Sequence, residues 1–267
     1  MDLKATFSLS LLLLSGLCCA QQGIDHGPDN EILEEDLTQT ILRMNNGSKD
    51  TLLEGDVWIP KTRNAMKCIN KVYSCLWPKS ANGMVYIPFL ISTKYDNTER
   101  NEILCAIKDF EHKTCIRFIP HAAQRAYISI EPRYGCSSLL GRIGDKQVVS
   151  LQRFGCIKRG IIQHELLHSL GFYHEQNRSD RDGYVRINWD NLHTYLKLNF
   201  EKKITNNLNT PYDYTSVMHY GRTAFGKNGK ETITPIPDSS VAIGQRDEMS
   251  KIDILRINRL YSCRNHM

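Results

Sequence analysis

No stretch of this chain repeats, follows a heptad or is of low complexity, which sets aside solenoids, coiled coils and simple linkers. No run of Lys and Arg interleaved with aromatics suggests nucleic acid. No Gly-x-Ser-x-Gly elbow points to an esterase-type serine hydrolase. Long apolar runs are missing too, with one short exception. After Lys4, residues 9–17 are mostly apolar, and Cys18-Cys19-Ala20 closes them with small side chains. That core is shorter than the roughly 20 residues a bilayer requires. It reads as a secretory signal over residues 1–20, so no stable membrane insertion is expected. The chain is then secreted to the extracellular space, with passage through secretory granules compatible with this.

Charge divides what remains. Residues 1–63 hold 10 acidic and 5 basic side chains, and the acidic stretch from Asp25 to Asp36 is unlikely to hold a core alone. Residues 64–267 keep 29 basic and 19 acidic of the chain's 34 and 29, a net of +10. Such a bias suits acidic partners and equally a plain soluble enzyme. About 200 residues are enough for one sizeable core or two small lobes around a cleft. Nine cysteines occur, two inside the signal. In an oxidising compartment six of the other seven can pair, in many connectivities, leaving one over.

Periodicity gives a coarse order of elements. Residues 84–91 are rich in β-formers, and Pro88 among them suggests an edge or irregular strand. Ile103, Ile107 and Phe110 line one face of an amphipathic helix over residues 98–110. Residues 116–119, 126–130 and 184–187 read as short strands. Residues 161–170 have helical spacing and stop at Gly171, and Ser250-Lys251-Ile252-Asp253 resembles a capping box opening a last helix to Tyr261. Strands come early and irregular structure late. The fold class is α+β, a sheet-bearing lobe followed by a loop-rich one.

The informative run is His164-Glu165-Leu166-Leu167-His168-Ser169-Leu170-Gly171-Phe172-Tyr173-His174-Glu175. His164 and His168 are four apart, so on a helix both imidazoles leave one face and reach the same ion. Gly171 can adopt a left-handed backbone, end the helix and return the chain so that His174 approaches the metal. Three protein ligands leave a fourth position for water, the pattern of a catalytic zinc site rather than a structural one. Glu165, beside the first ligand, is placed to take a proton from that water and pass it to the leaving amine. Three histidines, a glutamate and a glycine at this spacing arise by chance in roughly one chain in ten thousand or fewer, which disfavours accident.

HELLHSLGFYHE resembles the extended zinc motif of the astacin family of metzincin proteases, and Ser216-Val217-Met218-His219-Tyr220 resembles its Met-turn, 44 and 46 residues beyond His174 at Met218 and Tyr220. The likeness runs over about residues 52–263. It implies a two-lobe protease, residues 64–171 and 172–267, whose first lobe carries a twisted, mostly parallel sheet and two long helices. It also implies one Zn2+ per chain on His164, His168 and His174, with Tyr220 as a further, movable ligand that stabilises the oxyanion. Leu53-Glu54-Gly55-Asp56 resembles the family's pro-motif, making Asp56 the zymogen's zinc ligand within a propeptide of residues 21–63. Leu53 stands where a phenylalanine is common. An activating protease would cut near Lys61-Thr62-Arg63 and free Asn64.

The same resemblance pairs Cys136 with Cys156 and Cys115 with Cys263. Cys68 and Cys75 add the N-terminal pair of the fish hatching-enzyme (choriolysin) branch, which leaves Cys105 as a thiol. That extension separates Asn64 from Glu175, the mature N-terminus's partner in the family prototype, so Glu175 is expected to be structural. Sequons at Asn46 and Asn177 are candidate glycosylation sites. Arg178, Asp180, Arg181 and Asp182 suggest an ion network, and His219 a residue that supports the metal ligands. The implied activity is zinc-dependent hydrolysis of extracellular proteins by a monomer, egg-envelope glycoproteins among them. The alternative is a catalytically silent secreted binding module of the same fold.

Overall fold

The computed structural model describes residues 36–49, 51–58, 75–245 and 247–264. The signal, the cleavage position at Arg63 and Asn64, and Cys68 lie outside them. Helix α1 (Leu37–Asn45) is capped by Asp36, whose carboxylate accepts from the Gln39 N–H at 2.8 Å. Its Leu37, Ile41 and Met44 are buried in the main hydrophobic cluster. An acidic stretch read as unable to hold a core alone thus contributes to a core built largely by residues far along the chain. Strands β1 (Leu52–Leu53) and β2 (Val57–Trp58) form a small antiparallel pair. The Trp58 N–H donates to the Ser138 carbonyl at 2.8 Å, and the Ser138 N–H donates to the Asp56 carbonyl at 3.0 Å.

The central sheet has five strands: β3 (Val85–Ile91), β4 (Ile116–Pro120), β5 (Tyr127–Glu131), β6 (Cys136–Ser137) and β7 (Lys146–Leu151), in spatial order β4-β3-β5-β7-β6. All neighbours are parallel except β6, which runs antiparallel to β7 at the edge. This is the mostly parallel sheet that the family resemblance implied. The edge expected from Pro88 falls elsewhere, because β3 lies between β4 and β5. The Val85 N–H donates to Cys115 beyond β4's start, so by alternation the missing N–H of Pro88 faces β5. The β5 ladder begins only at Phe89, so no sheet hydrogen bond is lost.

Helix α2 (Asn97–Lys113) opens on a capping box between Asp96 and Glu99 and buries Ile103, Ala106, Ile107 and Phe110. Helix α3 (Arg159–Ser169) is buried almost throughout. Strands β8 (Val185–Ile187) and β9 (Ile233–Pro235) pair antiparallel within a second, smaller cluster that includes Phe200 and Tyr220. Helix α4 (Lys251–Leu260) has its capping box at Ser250 and Asp253, and its Ile257 and the following Tyr261 return to the main cluster. Disulfides join Cys115 to Cys263 and Cys136 to Cys156. Cys75 is disulfide-bonded as well, and Cys105, half-buried on α2, is not. No described helix is long and apolar enough to cross a membrane.

The Cys115–Cys263 bridge spans 148 residues. In the chain-entropy account a loop of that length contributes about 5 kcal/mol. Replacing both cysteines by serine should lower the unfolding free energy by that order in denaturant titrations. An unchanged midpoint would refute the estimate.

Candidate metal centre

Helix α3 presents His164 and His168 one turn apart, with ring centroids 4.8 Å from each other. The helix ends where Gly171 takes φ +102°, its N–H donating to the His168 carbonyl at 2.9 Å. That left-handed residue reverses the chain and returns His174, whose ring lies 5.1 Å from His164 and 4.7 Å from His168. All three histidines are buried.

Which nitrogen faces inward is set by the other. The Nδ1 of His164 lies 2.8 Å from the Val217 carbonyl, and the Nδ1 of His168 lies 2.8 Å from the Phe172 carbonyl. A carbonyl only accepts, so both Nδ1 atoms carry hydrogen, and in the neutral rings that a metal requires both Nε2 atoms are lone pairs. The Nδ1 of His174 lies 2.7 Å from the Glu54 carboxylate, with the same consequence. Three lone pairs therefore converge, and the Nε2 atoms of His164 and His174 stand 3.2 Å apart. Asp56 adds a carboxylate, its Oδ2 3.0 Å from His164 Nε2 and 3.2 Å from His174 Nε2, its Oδ1 3.5 Å from His168 Nε2. The four donor atoms lie within 4.8 Å of one another. His168 Nε2 and Asp56 Oδ1 are buried with no hydrogen-bond partner. Lone pairs and a carboxylate gathered this closely, with orphaned acceptors among them, fit a cation of nitrogen and oxygen preference such as zinc.

Glu165 is fully buried beside the first ligand, and neither carboxylate oxygen has a hydrogen-bond partner. Burial first, and then the Asp56 charge, push its carboxyl well above the ordinary range. Tyr220, also buried, packs 4.5 Å from the His174 ring, and its hydroxyl donates to the Glu54 carbonyl. In this state the tyrosine holds the N-terminal segment. Burial, then the Asp56 and Glu54 charges, keep its phenol protonated well above the usual value.

Met218 is buried in the turn beneath. Ser216 Oγ donates to Asp253 Oδ1 at 2.6 Å, and the Val217 N–H donates to Asp253 Oδ2 at 3.0 Å. Asp253 also closes the capping box of α4, so one carboxylate fixes the last helix to the turn whose Val217 carbonyl orients His164. Glu175 is held by Arg256 at 2.9 Å, by Arg178 at 3.2 Å and by the Asp213 N–H at 2.8 Å, all buried. Arg178 pairs with Asp180, and Arg181 with Asp182.

Nothing in the sequence points to Glu54's bond to His174, to Asp253 or to Arg256; a capping-box aspartate is the sole trace of the second. One expectation needs correcting. Asn177 is buried and its side-chain nitrogen donates to the Asn199 carbonyl at 3.0 Å, so no glycan fits there in the folded chain. Asn46 is exposed.

A metal centre of this make, on a helix packed against a mostly parallel sheet, defines a metallopeptidase of the metzincin type. Residues 74–262 match the Astacin peptidase family, and the chain belongs to that family. It is 56% identical to the low choriolytic enzyme of Oryzias latipes, over 98% of this chain and all of that one. Identity to high choriolytic enzyme 1 of the same fish is 54%, over 86% of this chain and 84% of the relative. The solved structure of that enzyme, a hatching-enzyme zinc protease, superposes with a TM-score of 0.71 over 75% of this chain and 100% of its own.

The ring of His219 bonds to groups other than the three histidines. Its Nδ1 donates to the Tyr220 carbonyl at 2.7 Å and its Nε2 accepts from the Tyr212 hydroxyl at 2.8 Å. The second bond requires the neutral ring, and burial pulls its pKa down to about 4 although the bond to the Tyr220 carbonyl works the other way. The folded value lies below the unfolded imidazole's ~6.5. The stability that this residue contributes is therefore complete above ~6.5 and lost as pH falls through about 4. Unfolding free energies measured across that window should fall in the wild type and fall less in His219→Asn. Parallel profiles would remove His219 as the cause.

Proposed function

We propose that this chain is a secreted zinc endopeptidase made as a zymogen. Residues 1–20 are the signal, 21–63 the propeptide and 64–267 the catalytic part, with lobes of about 64–171 and 172–267. The observation that carries the reading is the convergence of three buried imidazole lone pairs with the Asp56 carboxylate inserted among them. One zinc ion per chain, when bound, would polarise the scissile carbonyl and lower the pKa of water to about 7.

The chain's own residues supply the rest. His164, His168 and His174 would hold the ion, and Asp56 would be a further ligand that keeps substrate out. Its charge also adds to burial in raising the Glu165 carboxyl, which the positive charge of a bound ion would lower. When an activating protease cuts after Arg63, Asn64 becomes the new N-terminus. Departure of the N-terminal segment removes the Asp56 carboxylate from beside Glu165 and opens the site to water. The carboxylate then accepts a proton from the attacking water and returns it to the leaving amine. Tyr220 loses its Glu54 acceptor at the same moment. Its hydroxyl, still protonated, is free to approach the metal or to donate to the oxyanion that develops on the substrate. Glu175 is structural, held by Arg256 and Arg178.

Choriolytic and hatching enzymes among the relatives support egg-envelope proteins as the substrate class; cleavage outside the cell by a monomer is part of the same proposal. Glu165→Gln should keep stoichiometric zinc by metal analysis yet lose turnover by about 10²–10⁴-fold on denatured protein. His168→Ala should lose the metal as well. A fully active Glu165→Gln enzyme would exclude the proposed base. Egg envelopes left intact by the activated wild type would exclude the substrate.

A further inference from the structure

Two of the three histidines owe their orientation to the body of the protein. The Val217 and Phe172 carbonyls that accept from His164 and His168 are backbone groups of the Met-turn and of the turn after α3. They stay whatever happens to the N-terminal segment. His174 is different, because its Nδ1 donates to the side chain of Glu54, which belongs to that segment.

Glu54 is held at several points. Its second oxygen lies 3.2 Å from Lys203 Nζ, its N–H donates to Asn199 Oδ1 at 2.9 Å, and its carbonyl accepts from Tyr220. The residue is fully buried and takes φ +55°, a left-handed conformation costly for any side chain but glycine. The following Gly55, at φ +86°, has no room for a Cβ, which would sit 2.5 Å from Leu42 Cδ2. A strained backbone with this many anchors places one carboxylate oxygen on one imidazole nitrogen.

A carboxylate on the far nitrogen of a ligating histidine fixes its tautomer and raises its basicity. We propose that Glu54 is a positioning residue for the metal site. The N-terminal segment then contributes the outer partner of His174 in addition to Asp56, and the uncleaved chain holds zinc more tightly than these three histidines do without it. This rests on the zinc reading above.

The test is equilibrium competition for zinc between the full-length chain and a chelator of known affinity. Glu54→Ala should weaken binding by about 10–100-fold. Glu54→Gln, whose amide oxygen still accepts from Nδ1–H, should lose less. The comparison is repeated in an Asp56→Ala background, where Glu54→Ala should still cost about tenfold. The His174 Nδ1–H resonance of the zinc-loaded chain should shift in Glu54→Gln, which reads the contact even where Glu54→Ala folds poorly. A wild-type chain that binds no zinc would overturn the metal reading itself. A chain that binds zinc equally tightly with and without the carboxylate would overturn only the role of Glu54. So would an effect that vanishes in the Asp56→Ala background, since Glu54 would then act merely by docking Asp56.

Discussion

Three imidazole lone pairs pointing at one buried spot are mutually unfavourable, and much of the surrounding structure serves to hold them there. Two Nε2 atoms 3.2 Å apart repel unless a cation lies between them. Each ring must therefore be turned and kept turned by a bond on its far side. Helix α3 alone cannot do this, because a helix fixes where a Cβ points but leaves the ring free to flip. The flip is blocked by acceptors outside the helix, namely Val217, Phe172 and Glu54. The position of those acceptors is thus as much a part of the centre as the ligands.

Following the acceptors outward reaches the end of the chain. Val217 is held through Asp253, which sits on the first turn of α4. Burial lifts the Asp253 carboxyl to about 6, partly offset by the bonds from Ser216 and Val217 that favour its charge. Arg256, one turn further along, grips Glu175, whose own N–H donates to the Met218 carbonyl at 3.0 Å. The Cys115–Cys263 disulfide then ties the segment just past α4 to the start of β4. The last helix, remote from the chemistry in sequence, closes a loop of contacts that begins and ends at the ligands.

What the sequence made legible follows from how local each signal is. His164, His168, Gly171 and His174 lie within eleven residues, and their meaning depends only on helical spacing and on one left-handed glycine. The capping boxes are equally local, and α4 was readable from Ser250 and Asp253. The mostly parallel sheet came from family likeness; β6 and β7 had escaped notice because Cys136–Ser137 is too short to show a period and Lys146–Leu151 has neither alternation nor flanking breakers strong enough to mark it. Helix α1 was missed for another reason. Its acidic surroundings read as unlikely to hold a core alone, but Leu37, Ile41 and Met44 are spaced to bury one narrow stripe against a surface made elsewhere. Glu54, Asn177 and Arg256 share that limitation. Their partners lie 120, 22 and 81 residues away, and no window on the sequence joins them.

The burial of α1 bears on how a single cut could open such a site. Severing the chain between residues 58 and 75 breaks none of the hydrogen bonds that the described residues make at the metal centre, α1, β1, β2 and Asp56 included. The segment is then a ligand of the rest rather than a part of it. Its four buried apolar side chains, Leu37, Ile41, Met44 and Val57, contribute about 6–12 kcal/mol by area, and Asn45, whose amide bonds the Cys136 backbone at 2.7 and 2.9 Å, adds to that. Against this stands the loss of covalent tethering, since association of separate molecules costs about 4–15 kcal/mol. The two are of the same size. Within one chain the segment is held firmly; once cut, its hold falls to a level where dilution or a second cut can remove it. The strained Glu54 backbone shifts the balance further towards release. On the proposed zymogen reading, latency and activation share one set of contacts, and what changes between them is whether those contacts must also hold the segment against diffusion.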